Sequence, residues 1–489
     1  MALSNIAWAN RPTPWLVAGL FVHAFFLFAI FNDFLRPFFN DASHTRRGFD
    51  FGVFYLAGQA LAEGRDIYSV QGAFGFRYLP PFAQTIGRFF ALFQPITSYI
   101  LHLCLTELFL AINLWLTWRW VDEYRRGIAI FMWLAYSPYF LELYMGQVSF
   151  WAASLLFWLI VGLERGQGRW TGLFWAGAIL VKPNALILVP SLLRLRAFRI
   201  LAPGLLISLL GSIPYFMLHP DSFTAFIQSN TQGGHIKGAL THAGNLGLQG
   251  GLVSLIAKLC NRPLAELSTL NDLPVAGWIC IYISQLVLLL IGLFATLRYR
   301  PHQPVQIIAL WICTFFLVYK DIWEHHYVFL LPIFIALYAQ SFSPKLLWLF
   351  AFIALPTPFI FIDIKSGSYG AIDPEREWAV SLKVQGGDAF SFNLLGRREE
   401  HLQLSFDTTR AKNAARRGVV LRVPRPGTGD CIDLYLLSPQ IMARHVGEFL
   451  PKEGRLLIED NRIRLDPGWP MGANFHFAGT DESPYQFGL

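Results

Sequence analysis

Several separate stretches of this sequence carry polar residues that could work together as a base and a set of anion-holding groups. Asp50 closes the run GFD, and Arg77-Tyr78 opens RYLPPF further on. Glu142 precedes a Gly146-Gln147 turn, and Lys182 stands directly before Pro183. A glycine-rich stretch, SNTQGGHIKGALTHAGNLGLQGG, contributes His235, Lys237, His242 and Asn245. Lys320, Asp321, Glu324, His325 and His326 sit together later in the chain. A carboxylate shielded from water has a raised pKa and can take the proton of a hydroxyl as that oxygen forms a new bond. Asp50 is the candidate base, although an aspartate there also suits the N-cap of a helix starting near Phe51.

The cationic candidates point to an anion. Lys182, Lys237, Arg77 or one of the histidines would meet a phosphate, while a lysine reaching for the membrane interface is an equal reading for Lys182. Gly233-Gly234 could add backbone N–H groups. Adjacent histidines point to different faces of an α-helix, whereas a zinc helix needs them at i and i+4, so no metal is expected. One of His325 and His326 is expected to donate to a phosphate, or else to make an interfacial hydrogen bond. Glu142 is expected to neutralise a neighbour. Glu107, in the middle of an apolar run, is expected to pair with a polar group on another helix.

The elements that position these residues are written in the composition. Of 489 residues, 54% are hydrophobic and only 15% charged, with a mean hydropathy of +0.43. Soluble chains carry about 25% charged residues, so this chain reads as an integral membrane protein. From Asp363 onward there are 16 Lys+Arg and 17 Asp+Glu, which leaves 23 against 15 of the totals of 39 and 32 for the apolar part. The positive excess therefore belongs to the membrane part, where it sets orientation and is not a nucleic-acid footprint. The five cysteines have neither zinc spacing nor a disulfide pattern. The first apolar run reads as a retained span and not a removed signal.

Apolar runs at 15–32, 97–118, 127–144, 148–163, 171–181 with 184–193, 200–218, 276–297, 305–319, 326–341 and 345–362 predict an all-α polytopic bundle of about ten to twelve helices. The two short runs meeting at Lys182-Pro183 are each too short to span, and predict a pair that enters and returns. If the spans alternate, Arg119, Arg125, Arg126, Arg165, Arg169, Arg194, Arg196, Arg199, Arg298, Arg300 and Lys345 fall on one side, which the positive-inside rule makes cytoplasmic. The polar candidates fall on the other. After Asp363 the runs WAVSLKV, FSFNLL, LQLSF, GVVLRV, IDLYLL and RLLIEDNRIRL predict strands, and Ser438-Pro439 predicts a helix start. Residues 1–362 thus read as a membrane domain, and 363–489 as a small extracytoplasmic α+β domain.

An ordered set of motifs resembles glycosyltransferase family 87. These are Asp50-Phe51 with Phe54-Tyr55 and Gly64-x-Asp66-Ile67-Tyr68; Arg77-Tyr78-x-Pro80-Pro81-Phe82; Gly146-Gln147-Val148; Lys182-Pro183; Asn245 with Leu248; and Trp323-Glu324-His325-His326 before Leu330-Leu331-Pro332. The resemblance covers roughly 45–340. It implies a GT-C-like bundle and a polyprenyl-phosphate sugar donor, with mannose the first sugar to consider. It also implies a lipid or glycan acceptor, reaction on the extracytoplasmic face of a membrane such as the bacterial inner membrane, an aspartate base at Asp50 and no cofactor. Arg77, Tyr78, Gln147, Lys182, Lys237, Asn245, Glu324, His325 and His326 are then the donor-phosphate and substrate-binding candidates. GNLGLQG departs from the more polar stretch expected around Asn245, which bears on the acceptor. The rival readings are a transporter or lipid flippase built round the broken helix, and a scaffold whose C-terminal part docks a partner.

Overall fold

The computed structural model describes residues 12–355, apart from 33, 36–37, 39–46, 71–74, 167, 232–244, 263–266 and 268–269, and the backbone of eight strands after residue 376. The chain divides into two units, Met1–Ser368 and Tyr369–Leu489.

In the first unit, α1 (Pro12–Phe31) is followed by α2 (Phe51–Ala62), a helical segment at 80–90 that is π-helical over Ala83–Gly87, and α3 (Pro95–Trp120). Then come α4 (Glu123–Leu134), α5 (Ser137–Met145), α6 (Ser149–Glu164) and α7 (Gly168–Val181). A 3-10 turn at Pro183–Leu188 leads into the short α8 (Val189–Arg194), and α9 (Phe198–Leu218) and α10 (Pro220–Thr231) follow. The remainder is α11 (Leu248–Leu259), α12 (Val275–Arg298), α13 (Pro304–Val318), a 3-10 segment at Glu324–Leu330, α14 (Leu331–Gln340) and α15 (Pro344–Ala354). Each apolar run of the sequence has its helix. Among the described residues, five helical stretches are long and apolar enough to cross a membrane: Pro12–Phe31, Pro95–Trp120, Glu123–Met145, Phe198–Leu218 and Val275–Arg298. Of the remaining runs, 171–193 is broken at Lys182-Pro183 and 326–341 by the 3-10 segment, α6 and α13 are unbroken helices of 16 and 15 residues, and 345–362 extends beyond the described residues.

The middle of the unit is α5, all nine of whose residues are buried. Eight of the nine are uncharged, and the ninth, Glu142, accepts a hydrogen bond from the Phe150 N–H. Phe21, Met217, Leu218 and Trp348 face outward, each at least 75% exposed, as lipid-facing residues do. Glu107 of α3 is paired as the sequence leads one to expect: His23 of α1 lies 3.1 Å from its Oε2, and the Tyr139 hydroxyl of α5 donates to Oε1 at 2.9 Å.

Hydrogen bonds join the arginine-bearing loops at one end. Arg165 donates to the Arg119 carbonyl (3.2 Å), Arg125 to Ala339 (2.5 Å) and Arg194 to Tyr299 (2.6 Å), while Gln340 donates to Glu164 (3.2 Å) and Gln306 to Gln340 (2.7 Å). The segment between Gly168 and Arg199 starts and finishes at this end, since a Cβ on Gly168 would lie 3.9 Å from Arg199 Cδ. It turns at Lys182-Pro183, where the Trp175 indole donates to the Ala185 carbonyl at 3.1 Å. The entering and returning pair is therefore a hairpin.

In the second unit, β1 (Glu377–Lys383), β2 (Ser391–Arg397) and β8 (Phe475–Phe477) form one sheet in the order β2-β1-β8. The strands β3 (Leu404–Phe406), β4 (Gly418–Pro424), β5 (Cys431–Leu437), β6 (Leu456–Glu459) and β7 (Arg462–Leu465) form another, ordered β3-β4-β5-β7-β6. Pairing is antiparallel except between β5 and β7. Every strand-like run of the sequence contains a strand. The helix expected from Ser438 lies outside the described residues.

Candidate active site

Asp50 reaches its place through a strap at the start of α2. The Arg47 guanidinium donates to the Ile30 and Phe31 carbonyls at the end of α1 (3.2 and 3.1 Å). The backbone N–H groups of Gly48 and Asp50 donate to the Tyr144 and Met145 carbonyls at the end of α5 (2.7 and 2.9 Å). Gly146 ends α5 in the left-handed conformation at φ 74°, and its N–H caps the helix by donating to Glu142 and Leu143. A Cβ here would stand 2.5 Å from Phe51 Cβ. Glycine is thus required both by conformation and by the approach of α2.

The Asp50 side chain does not cap α2. It is 3% exposed, and its Oδ2 accepts from Gln147 Nε2 at 2.8 Å. The helix-cap alternative therefore falls. Gln147 Oε1 in turn accepts from the Tyr78 hydroxyl at 3.2 Å and the Lys182 ammonium at 3.3 Å, and Lys182 Nζ stands 5.2 Å from the centre of the Tyr78 ring. Lys182 is held extended (φ −144°, ψ 106°) because Pro183 disfavours the helical region for the residue before it. Burial pushes the Asp50 carboxyl up to about 7, against the Gln147 hydrogen bond and the Lys182 and Arg77 charges, which pull it down. Glu142 accepts from the Phe150 N–H at 2.9 Å, at the start of α6, and has Lys182 and Asp50 as charged neighbours. It serves a helix N-terminus as well as neutralising a neighbour.

A second group lies beside the first. Arg77 Nη1 pairs with Asp321 Oδ2 at 2.7 Å, and the Trp323 indole donates to the other carboxylate oxygen. Burial pushes Asp321 up, but Arg77 and Lys320 more than offset this and hold it below the usual carboxylate range. Burial lowers Lys320 to about 8; its ammonium donates to the Asn230 carbonyl at 3.2 Å, and Asn230 Nδ2 to the Arg77 carbonyl at 3.1 Å. Lys182 and Asp321 are charged neighbours of His325, and the His325 and His326 rings lie 4.2 Å apart. They share a 3-10 turn, which corrects the expectation that adjacent histidines diverge, because that expectation assumed an α-helix. His326 Nδ1 accepts from the Trp323 N–H at 3.0 Å and so caps the turn. Glu324 is buried at its start.

Asn245 does a stitching job. Its Nδ2 donates to the Lys320 carbonyl (2.8 Å), its Oδ1 accepts from the Ile322 and Gly247 N–H groups (each 3.2 Å), and Leu246 N donates to Ile322 (2.6 Å). Lys237, His235, His242 and the Gly233-Gly234 pair lie outside the described residues. The structure thus brings together Asp50, Tyr78, Gln147, Lys182, Arg77 and His325, with Asp321 and Glu142. Sequence reading did not assign the Arg77–Asp321 pair, which joins residues 244 apart. It named Asp66 as part of the resemblance motif without assigning its partners. This carboxylate accepts from Tyr68 N (3.2 Å), Tyr215 Oη (2.7 Å) and Ser222 Oγ (2.7 Å), and so pins the first loop to α9 and α10. Nothing in the local spacing foretells a partner 149 residues away.

A bundle of membrane-length apolar helices, with a buried carboxylate–amide–lysine cluster at the end away from the loops of Arg119, Arg165 and Arg194, defines an integral membrane protein with a candidate catalytic end. Residues 76–319 match the model of Glycosyltransferase family 87, and over that stretch the chain belongs to this family. The matched range holds Arg77, Tyr78, Gln147, Lys182 and Asn245; Asp50 and the Glu324-His325-His326 run lie outside it. No curated protein matches the chain. Among solved structures it is similar to the crystal structure of ArnT from Cupriavidus metallidurans bound to undecaprenyl phosphate. The identity is 17% over 70% of this chain and 62% of that one, with a TM-score of 0.39. The chain spans less than two thirds of that protein, and a likeness this loose carries no argument about activity.

Proposed function

We propose that the chain is a membrane glycosyltransferase that moves a sugar, mannose first among candidates, from a polyprenyl-phosphate donor to a hydroxyl of a lipid or glycan acceptor. Asp50 is the base. The observation that carries this reading is the buried Asp50 side chain, free of any helix-capping bond and set against Gln147 with Lys182 nearby. Asp50 takes the acceptor hydroxyl proton as that oxygen bonds to the anomeric carbon. The bond from this carbon to the phosphate oxygen breaks, and its electron pair leaves with the polyprenyl phosphate. Lys182, with Lys237, Arg77 or His325, meets the phosphate charge, which fixed donors can stabilise without reorganisation. The positive-inside rule supports reaction on the extracytoplasmic face. We read residues 363–489 as a separate domain on that side.

The test uses purified full-length protein in lipid nanodiscs, given synthetic polyprenyl-phosphate mannose or polyprenyl-phosphate arabinose together with extracted membrane lipids. Mass spectrometry follows the transfer. Asp50→Asn keeps the shape of the side chain and removes the base, so transfer is expected to drop by about 100-fold or more. Full transfer by this variant would remove Asp50 from the chemistry.

A further inference from the structure

Gln147 has a side chain with two ends, and its surroundings dictate which way round it sits. Lys182 can only donate, and at 3.3 Å it must face the amide oxygen. The Tyr78 hydroxyl supports the same choice at 3.2 Å. The amide nitrogen is left to point at Asp50 Oδ2, 2.8 Å away, and the reverse orientation would set an oxygen against a carboxylate and an NH2 against an ammonium. Gln147 is 3% exposed and is carried on the turn that Gly146 makes possible, so it has little room to choose otherwise. Among the described residues, the one hydrogen bond to the Asp50 side chain is this one, at Oδ2.

We propose that Gln147 is a positioning residue: oriented by Lys182, its amide clamps Oδ2 of Asp50, so that Oδ1 is the oxygen that receives the acceptor proton. The inference rests on Asp50 being the base. An N–H held against one carboxylate oxygen stabilises the charged form and fixes the carboxylate plane, which decides where an acceptor hydroxyl has to approach. The charged and titratable groups facing Asp50 are Lys182 at the hairpin tip, Arg77 and Tyr78 from the first loop, Asp321 before the 3-10 turn and Glu142 on α5. Gln147 is the neutral group among them that is bonded directly to the carboxylate.

Gln147→Glu is nearly isosteric and replaces the fixed donor with a second carboxyl. Two such groups share a proton, and the pair's upper titration moves up. Gln147→Met removes the donor without adding charge. Two readouts are taken on full-length protein in nanodiscs. One is the pH dependence of kcat/KM with synthetic polyprenyl-phosphate mannose and octyl mannoside. The other is the pH midpoint of the Asp50 carboxylic-acid C=O stretch, assigned by infrared difference against Asp50→Asn. The acid-limb midpoint and the infrared midpoint are expected to rise together, in the order wild type, Met, Glu, with a shift of about one pH unit or more for Glu. The loss of activity should fall mainly on kcat. Unchanged midpoints in both variants, with the loss confined to KM for the donor, would overturn the clamp and make Gln147 a substrate contact. The two ideas fail separately. Retained transfer by Asp50→Asn sinks the base, whereas the infrared midpoints judge the Gln147 clamp whether or not the probe sugar is turned over.

Discussion

Asp50, the proposed base, is held by a partner 97 residues away, Gln147, and by the end of α5, which holds its backbone. With its carboxyl pushed up to about 7 by burial, it is protonated below that pH and able to accept a proton only above it. The transfer rate is therefore expected to rise with pH through about 7, as measured by initial rates between pH 5 and 9 at saturating donor. A flat profile would mean that another group limits the rate. Asp50 as a candidate was legible in the sequence, because it opens the motif Asp50-Phe51 in a polar stretch between two apolar runs. Its freedom from capping was not, because the same residue type suits both jobs. Lys182 was legible for a firmer reason: Pro183 dictates an extended backbone, and a lysine so placed at a break must find a polar partner.

At the scale of elements, glycines and breaks bring the site together. Gly146 lets α5 end in a left-handed turn directly against Phe51, and Gly58 brings α2 against the backbone of Gly87 with no room for a Cβ. Gly146→Ala is expected to cost roughly 1–3 kcal/mol from the backbone conformation alone. The added clash with Phe51 would shift the Asp50–Gln147 contact. Thermal unfolding in detergent and the transfer rate should both fall. A stable variant with normal activity would show that the turn tolerates a Cβ. Helix ends were readable from Pro and charge, and the hairpin from two runs too short to span. The stitching of Asn245 to Lys320 and Ile322 was not readable, because backbone partners leave no mark on residue identity. The same applies to the 3-10 turn that brings the His325 and His326 rings together.

At the scale of the whole membrane unit, the loops that carry Arg119, Arg125, Arg165 and Arg194 lie at one end, and the candidate site, with Arg77, at the other. The site end is closed by the Arg77–Asp321 pair, whose side chains are 16% and 9% exposed. Removing one partner of a buried pair strands the other, at a cost of about 3 kcal/mol or more. Asp321→Asn should therefore unfold at markedly lower temperature or denaturant concentration than the wild type, and an unchanged midpoint would reduce the pair to a surface ornament. The sign for acid follows from the depressed Asp321 carboxyl. Its stabilising contribution is present above the unfolded carboxylate pKa and is lost as pH falls through the lower folded one. The pair itself could not be read from the sequence, since opposite charges 244 residues apart are indistinguishable from any others.

That separation has a consequence during synthesis. At ribosomal speeds of about 5–20 residues per second, Arg77 emerges roughly 12–50 s before Asp321 does. Through that interval the first loop is already out while its guanidinium lacks its final counterion, and the candidate base gains α5 partway through but not yet Asp321 and its neighbours. The chain can be inserted in order, yet its reactive end is completed only by a late segment. A ribosome that stalls before residue 320 would leave behind most of the bundle and no finished site.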